Sequence, residues 1–180
     1  MRHLSLPAGL LAIMAFAAAS TLSARADTPA IVTQALQATM KTSYHMTMVS
    51  PQTGAVEADV VPPNRMHLLM KKENMEAIVI DSTMYMKQKG TWQKYPGVDI
   101  MKMQTLQSLA ASTDKFTVDD LGPKLIAGSL LHAYRITNLK TKTVSSFFLD
   151  GSGRIARMEV GSNVIQFSKY GETVAITAPI

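Results

Sequence analysis

The chain contains no cysteine, and this absence excludes several kinds of site. Without thiols there is no disulfide framework, no thiolate metal centre and no cysteine nucleophile. The lipid-modified cysteine that tethers bacterial lipoproteins is missing as well. We therefore expect a domain that depends on its hydrophobic core and is not held to a membrane by a lipid anchor.

Charged and aromatic residues are also scarce, at 17% and 6% of the chain. The formal net charge is +5, and it falls to +3 when Arg2 and Arg25 of the N-terminal segment are set aside. The lysines and arginines are scattered along the sequence rather than clustered, which argues against a nucleic-acid-binding protein. Such a mild excess is compatible with contact to an anionic membrane surface and indicates nothing more.

The sequence lacks the usual catalytic motifs. Neither G-x-S-x-G nor H-E-x-x-H is present. Asp119 and Asp120 are adjacent, so on a strand they point to opposite faces and cannot act as a pair. Ser129 and His132 are three residues apart, a spacing that suits a helix rather than the strand expected there. We predict that the protein is not an enzyme and needs no cofactor.

The first residues have the order of a secretory signal peptide. A basic start is followed by an apolar run and then by Ala24-Arg25-Ala26. The apolar run is shorter than a comfortable membrane span. We expect cleavage of 1–26, which would leave 27–180 as a single domain, a monomer in the periplasm or outside the cell.

Two helices are predicted among many strands. Thr28 can cap a helix that Pro29 begins and Lys41 ends, and a second helix is predicted at 98–112. Elsewhere polar and apolar residues alternate between short turns, which is typical of an antiparallel meander in an α+β domain. The predicted strands are 42–49, 55–61, 65–72, 75–81, 83–88, 91–95, 115–120, 124–137, 142–149, 154–160, 164–169 and 172–177.

A sheet this large cannot fill its own concave face. With about eleven strands and only two helices, tight closure or a plug would be needed to remove all internal volume. We predict an unclosed antiparallel half-barrel whose two helices lid the concave apolar face. The remaining volume would form a cavity.

Methionines alternate along three predicted strands. Residues two apart share a face, so these side chains could form one apolar stripe. Methionine is flexible and polarizable and adapts to varied apolar partners, although ordinary core filling is the alternative. With one tryptophan at the rim and two residues of the second predicted helix, the predicted lining is Met46, Met48, Met66, Leu68, Met70, Met84, Met86, Trp92, Met103 and Leu106.

The same methionines allow a metal-binding hypothesis. Thioethers are soft ligands suited to Cu(I), and Met84 with Met86 would supply two of them. His45 and His67 alternate out of phase with the neighbouring methionines, which disfavours a compact Met-His site within one strand. Cu(I) binding at the methionine pair is kept as an alternative, and no other metal site is predicted.

Several segments resemble the LolA-like superfamily, which includes the lipoprotein carriers LolA and LolB and the mycobacterial LppX/LprG proteins. The first are "EADVVPPNRMHLLM", with its Pro63-Asn-Arg65 step, and the hairpin "TMYMKQKGTWQKYP". "DLGPKLIAGSLLHAYRI" and "FFLDGSGRIARMEV" are similar to the second half of that family. The resemblance implies a helix-lidded half-barrel that holds acyl chains without catalysis. It also implies a lid-contact role for Arg65, since an arginine near this step is linked to lid closure in the carriers.

The apolar face and the resemblance together predict a carrier or binding protein for a lipid or lipidated ligand. Membrane-bound donor and acceptor proteins would be its partners in outer-membrane biogenesis. A different class of function is an interaction module, in which the concave face binds a segment of a partner protein, as in envelope-stress sensors that share the resemblance.

Overall fold

The computed structural model describes residues 28–51, 54–97 and 116–180. One helix, α1 (Thr28–Lys41), precedes eleven strands in this part of the chain. The strands are β1 (Tyr44–Ser50), β2 (Gly54–Val61), β3 (Arg65–Met70), β4 (Met75–Ile80), β5 (Thr83–Gln88), β6 (Thr91–Pro96), β7 (Phe116–Ile126), β8 (Ser129–Asn138), β9 (Val144–Leu149), β10 (Ile155–Val160) and β11 (Asn163–Ser168).

All eleven strands belong to one antiparallel sheet with the order β6-β5-β4-β3-β2-β1-β11-β10-β9-β8-β7. Two meanders, β1–β6 and β7–β11, therefore meet at the centre, where the first strand pairs with the last. The edge strands β6 and β7 do not pair with each other in the described residues, so the sheet is not closed. The predicted open antiparallel half-barrel is confirmed.

Short turns set the register of the first meander. Between β5 and β6, Lys89 and Gly90 both have positive φ, at 50° and 84°. Two such residues form the tight turn whose twist matches that of a hairpin. The hairpin predicted from "TMYMKQKGTWQKYP" is confirmed, with Met86 opposite Gln93 and Lys87 opposite Trp92.

The prediction of a single strand over 124–137 is wrong. Ala127 and Gly128, with φ of 48° and 83°, form a turn that separates β7 from β8. Alanine is uncommon at positive φ, and apolar residues flank the turn on both sides, so the sequence carried only a weak turn signal. Strand β7 runs from Phe116 to Ile126, whereas the predicted strand ended at 120.

The alternating segment 172–177 does not form the predicted strand. This segment follows β11 and is held against the rest of the protein by hydrogen bonds. The Gly171 amide donates to the Ser43 carbonyl at 2.9 Å, and an Arg65 guanidinium nitrogen donates to the Ile176 carbonyl at 3.3 Å. Ile176 is buried, and this accounts for the apolar alternation without a strand.

The main core lies between α1 and one face of the sheet. Val32, Ala35 and Leu36 project from the helix into a cluster that contains the fully buried Phe147 and Ile155. The helix packs chiefly over β7 and β10. The first predicted helix is thus confirmed, whereas the predicted second helix and signal peptide lie outside the described residues. No helix in the described part is both long and apolar enough to cross a membrane.

Candidate functional site

The candidate site is the inner face of the first meander, where "inner" denotes the sheet face on which α1 packs. Tyr44 and Met46 of β1 belong to the core cluster beside α1, so the side of β1 that carries them is the inner face. Because side chains alternate along a strand, Met48 points the same way. The register of the neighbouring strands then assigns every residue of β2–β5 to one face or the other.

A central row of Cα partners crosses five strands of this face. It runs through Met46, Ala58, Leu68, Ala77 and Met86. Long side chains therefore alternate with two alanines across the sheet. The two alanines form low points on either side of Leu68 and the methionines rise at both ends, so the row is a shallow trough with Leu68 at its centre.

Two further rows flank this trough. The structure brings the seven sequence-predicted residues of β1, β3 and β5 onto one face, and no charged residue shares that face within β1–β5. The flanking rows are Tyr44-Val60-Met66-Val79-Met84 on one side and Met48-Val56-Met70-Met75 on the other.

Burial differs between the floor and the rim of this surface. Ala58 and Ala77 are 2% and 5% exposed. Seven long side chains of the three rows are only half-buried: Met46, Met48, Leu68, Met70, Met75, Met84 and Met86. The other five, Tyr44, Val56, Val60, Met66 and Val79, are buried. Flexible side chains at half burial can change rotamer without opening a cavity in the core. The surface can therefore adapt to apolar partners of different shape.

Sequence reasoning missed Met75, Ala58 and Ala77 as members of this surface. The available signal was the four-residue turn at 71–74, which makes Met70 and Met75 the closing pair of a hairpin. Once that pair is set, alternation assigns Ala77 to the inner face. The alanines were overlooked because short side chains give little sign of a binding role.

Trp92 does not line this surface, so its predicted place in the lining set is wrong. It is the Cα partner of Lys87, which lies on the outer face, and the Lys87 ammonium is 5.5 Å from the centre of its ring. In β6 it is Gln93 and Tyr95 that share the side of the methionines. Met103 and Leu106 fall outside the described residues.

Arg65 also projects to the outer face, at the start of β3. Its side chain is exposed and donates a hydrogen bond to the Ile176 carbonyl of the C-terminal segment. The second predicted helix, the expected lid, lies outside the described residues. The lid-contact role that the resemblance implies for Arg65 therefore stays a prediction.

Polar groups gather on the outer face of the same strands. His45 Nδ1 lies 2.8 Å from an Asp59 carboxylate oxygen, and His67 Nε2 lies 2.9 Å from Glu76. Lys87 also binds Glu76, at 3.2 Å. The hydrogen bond with His67 lowers the pKa of the Glu76 carboxyl, and the Lys87 bond adds to this against a smaller opposing effect of burial.

The separation of histidines and methionines onto opposite faces argues against a copper site that uses both. His45 and His67 lie on the opposite face from Met84 and Met86, so the four side chains do not converge. In the described residues no group of three or more histidine, cysteine or acidic side chains is arranged to hold a metal ion. What the inner face offers is thioether and aliphatic surface.

A cavity of about 330 Å³ lies at the turn end of β3–β6, lined by the outer-face row Leu69-Glu76-Lys87 and by the hairpin-closing pair Met70 and Met75. It lies where β3 turns into β4 and β5 turns into β6. Apolar side chains of both faces and several lysines surround it. The lining residues are Leu69, Met70, Lys71, Asn74, Met75, Glu76, Lys87, Lys89 and Gly90.

Comparison with solved structures shows what this arrangement is similar to. LprF from Mycobacterium bovis aligns with a TM-score of 0.60 at 17% identity, covering 84% of this chain and 96% of LprF. The Mycobacterium tuberculosis lipoprotein LppX aligns with a TM-score of 0.57, also at 17% identity, covering 83% and 97%. The LolA-like fold indicated by the sequence is thereby confirmed as a fold.

A third similar structure is a chain of the Pseudomonas aeruginosa MucA/MucB complex. It aligns with a TM-score of 0.52 at 14% identity. The match covers 86% of this chain but only 59% of the other, so the present chain corresponds to part of that protein. No family model and no curated protein sequence matches this chain.

Proposed function

We propose that this protein is a carrier or binding protein for a lipid or lipidated ligand held against the inner face of β1–β5. The observation that carries the proposal is the uncharged surface of half-buried methionines, with two alanines at its floor. A fold shared with LppX, which is named a lipoprotein, and with LprF supports it. So does the family resemblance, which implies bound acyl chains.

The mechanism would be equilibrium capture and release. Burial of an acyl chain contributes about 0.8 kcal/mol for each methylene removed from water. The methionines would adjust their rotamers to chains of different length. No covalent bond is made or broken, and transfer follows when an acceptor buries the same chain at least as well.

Native mass spectrometry of protein purified from the periplasm without detergent tests the proposal directly. We expect adducts whose masses differ by methylene units and which disappear after solvent extraction. A bare mass that stays bare after incubation with candidate lipids would show that the protein is not a lipid carrier.

Two neighbouring leucines provide a matched pair of variants. Leu68 lies in the central inner row and Leu69 lies on the outer face. Leu68→Lys places a charge in the proposed binding surface, so we expect the lipid adducts to be lost. Leu69→Lys should retain them, provided that circular dichroism shows both variants to be folded. Loss of adducts in both variants, or in neither, would contradict binding at the inner face.

A second candidate function is binding of a partner protein's segment by the same face. The likeness to a chain of the MucA/MucB complex favours it, because that structure contains two associated proteins. A polypeptide that co-purifies with the protein and is lost with Leu68→Lys but kept with Leu69→Lys would support this function. A ladder of methylene masses would support the lipid instead.

We also infer that the protein acts after export. The signal-peptide pattern of residues 1–26 supports a periplasmic location, where membrane-bound donor and acceptor proteins would exchange the ligand during outer-membrane biogenesis. N-terminal sequencing of protein from a periplasmic extract should give Asp27 as the first residue. Recovery of an intact N-terminus in the cytoplasmic fraction would contradict this.

A further inference from the structure

The turns between strands divide into two sets at opposite ends of the sheet. Because every pairing is antiparallel, turns that follow β1, β3, β5, β8 and β10 lie at one end, here called the upper end. Turns that follow β2, β4, β7 and β9 lie at the other, here called the lower end. The two sets have very different charges.

The upper turns concentrate lysine. The turns at 71–74, 89–90 and 139–143 contain five lysines and a single glutamate. Their positive residues are Lys71, Lys72, Lys89, Lys140 and Lys142, and all five are exposed, although Lys71 is paired with Glu57 at 2.6 Å. These lysines are scattered along the sequence, but the fold brings them to turns at one end of the sheet.

The lower turns carry no such excess. They contain Asp81, Asp150 and Arg154 as charged residues, and Arg154 is engaged by Asp150 at 3.0 Å. Outside these turns the lower end also carries Lys41, Arg65, Lys124 and Lys169, with Glu172, so it is the turns that differ in charge and not the two ends as a whole. A positive surface such as that of the upper turns attracts anionic surfaces.

Exposed apolar side chains lie at both ends of the sheet. Leu125 and Leu130, which are 72% and 69% exposed, flank the β7–β8 turn at the lower end, and three others accompany the lysines at the upper end. Leu139 and Val144, which flank Lys140 and Lys142 in the β8–β9 turn, are 46% and 48% exposed. Val49, near the end of β1, is 53% exposed. Lysines interspersed with exposed aliphatic side chains match the interface of an anionic bilayer, where headgroups pair with the ammonium groups and the apolar residues enter the acyl boundary.

The upper end also adjoins the proposed binding surface. Met70 and Met75 of the inner face close the β3–β4 hairpin next to Lys71. They also line the cavity at this end, together with Leu69, Glu76 and Lys87 of the outer face.

We propose that the upper end of the sheet is a docking surface for an anionic phospholipid bilayer. Electrostatic attraction by the lysine-bearing turns supplies the affinity, and the exposed aliphatic residues supply shallow contact. The orientation brings the Met70–Met75 end of the inner face to the membrane. The proposal concerns the surface and does not require that a lipid be carried.

Vesicle co-sedimentation with the mature protein, in the form that the cell produces, tests this surface. We expect binding to phosphatidylcholine vesicles that contain phosphatidylglycerol, little binding to pure phosphatidylcholine, and weakening as salt is raised. Failure to bind the anionic vesicles, or equal binding to both kinds, would overturn the proposal. Binding to an acidic protein partner but not to vesicles would overturn it as well.

A matched pair of quadruple variants separates position from net charge. One variant replaces four exposed upper lysines by glutamine: Lys72→Gln, Lys89→Gln, Lys140→Gln and Lys142→Gln. The control makes the same change at four exposed lysines elsewhere: Lys41→Gln, Lys94→Gln, Lys124→Gln and Lys169→Gln.

The upper variant should lose vesicle affinity by on the order of a thousandfold, while the control keeps most of it. Equal loss in the two variants would show a simple net-charge effect and overturn the proposal. Lys140→Gln with Lys142→Gln gives a smaller test in case the quadruple variant unfolds, and it should weaken binding by roughly thirtyfold.

The outcome is distinguishable from that of the carrier proposal. The upper variant should keep the methylene-spaced adducts in native mass spectra, because its changed residues lie outside the three inner-face rows. Leu68→Lys should lose the adducts but keep vesicle binding. Each proposal can therefore fail while the other stands.

Discussion

The two halves of the sheet use their inner faces differently. In the second meander, the inner face lies under α1, and Phe147, Ile155 and Met158 are all 0% exposed. In the first meander, the row from Tyr44 to Val79 belongs to the same core, but Met84 and Met86 on that face are only half-buried. The contrast teaches that both halves contribute to the packed core, while the first also has half-buried apolar side chains that are available to a ligand.

Identical substitutions in the two halves should separate these roles with the largest effect. Met158→Ala removes a fully buried side chain beneath the helix, so we expect a loss of about 2–5 kcal/mol in the free energy of unfolding. Met86→Ala removes a half-buried one and should cost about 1 kcal/mol. Urea titration measures both values. Equal losses would show that the methionine face is an ordinary part of the core.

The two aspartate-containing turns of the lower end offer a smaller contrast between the halves. Asp150, between β9 and β10, accepts hydrogen bonds from the Ser152 and Arg154 amides and from both side chains. Partial burial raises the pKa of the Asp150 carboxyl, but these hydrogen bonds together outweigh it, and the net pKa is lowered. Asp81, in the β4–β5 turn, receives only a long bond from Asn64 at 3.5 Å.

Asp150→Asn should therefore cost about 1 kcal/mol at neutral pH, and Asp81→Asn much less. Because the folded-state pKa of Asp150 lies below the unfolded one, its contribution is complete above the ordinary value of 3.8 and is lost as pH falls through the lowered folded value. The stability gap between wild type and Asp150→Asn should accordingly narrow on acidification below pH ~4. A gap that is independent of pH would contradict this assignment.

The smallest effect is expected where apolar character is preserved. Replacing Met84 and Met86 together by leucine should change the free energy of unfolding by no more than about 1.5 kcal/mol. Lipid adducts should persist, because leucine also buries an acyl chain. Native mass spectra with and without Cu(I) provide the measurement. Loss of a stoichiometric copper adduct on this substitution, with lipid adducts absent from the wild type, would instead favour the metal hypothesis.

Local patterns predicted the first meander well. Alternation and recognisable turn chemistry indicated β1–β6 to within a few residues, and Lys89-Gly90 marked its last hairpin. The pattern failed where a turn lacked its usual residues, at Ala127-Gly128, and where burial of Ile176 imitated a strand. Trp92 was misassigned because alternation gives two faces but does not say which one is covered.

Features that depend on strand direction could not be predicted from the sequence. The gathering of lysines at the upper end requires the pairing of β1 with β11, which places the second meander in a fixed direction relative to the first. Met75, Ala58 and Ala77 became part of the candidate surface only when the register joined them to Met70 and Leu68. These relations are long-range, and a single sequence carries no direct sign of them.

The pairing of β1 with β11 has a consequence for the order of assembly. Each meander consists of hairpins between neighbouring segments, and such contacts form quickly because little loop entropy is lost. The central seam joins Met48 to Ile165, across most of the length of the chain. It can close only when β11 is available to β1, so we expect the hairpins of the two meanders to form before the seam joins them.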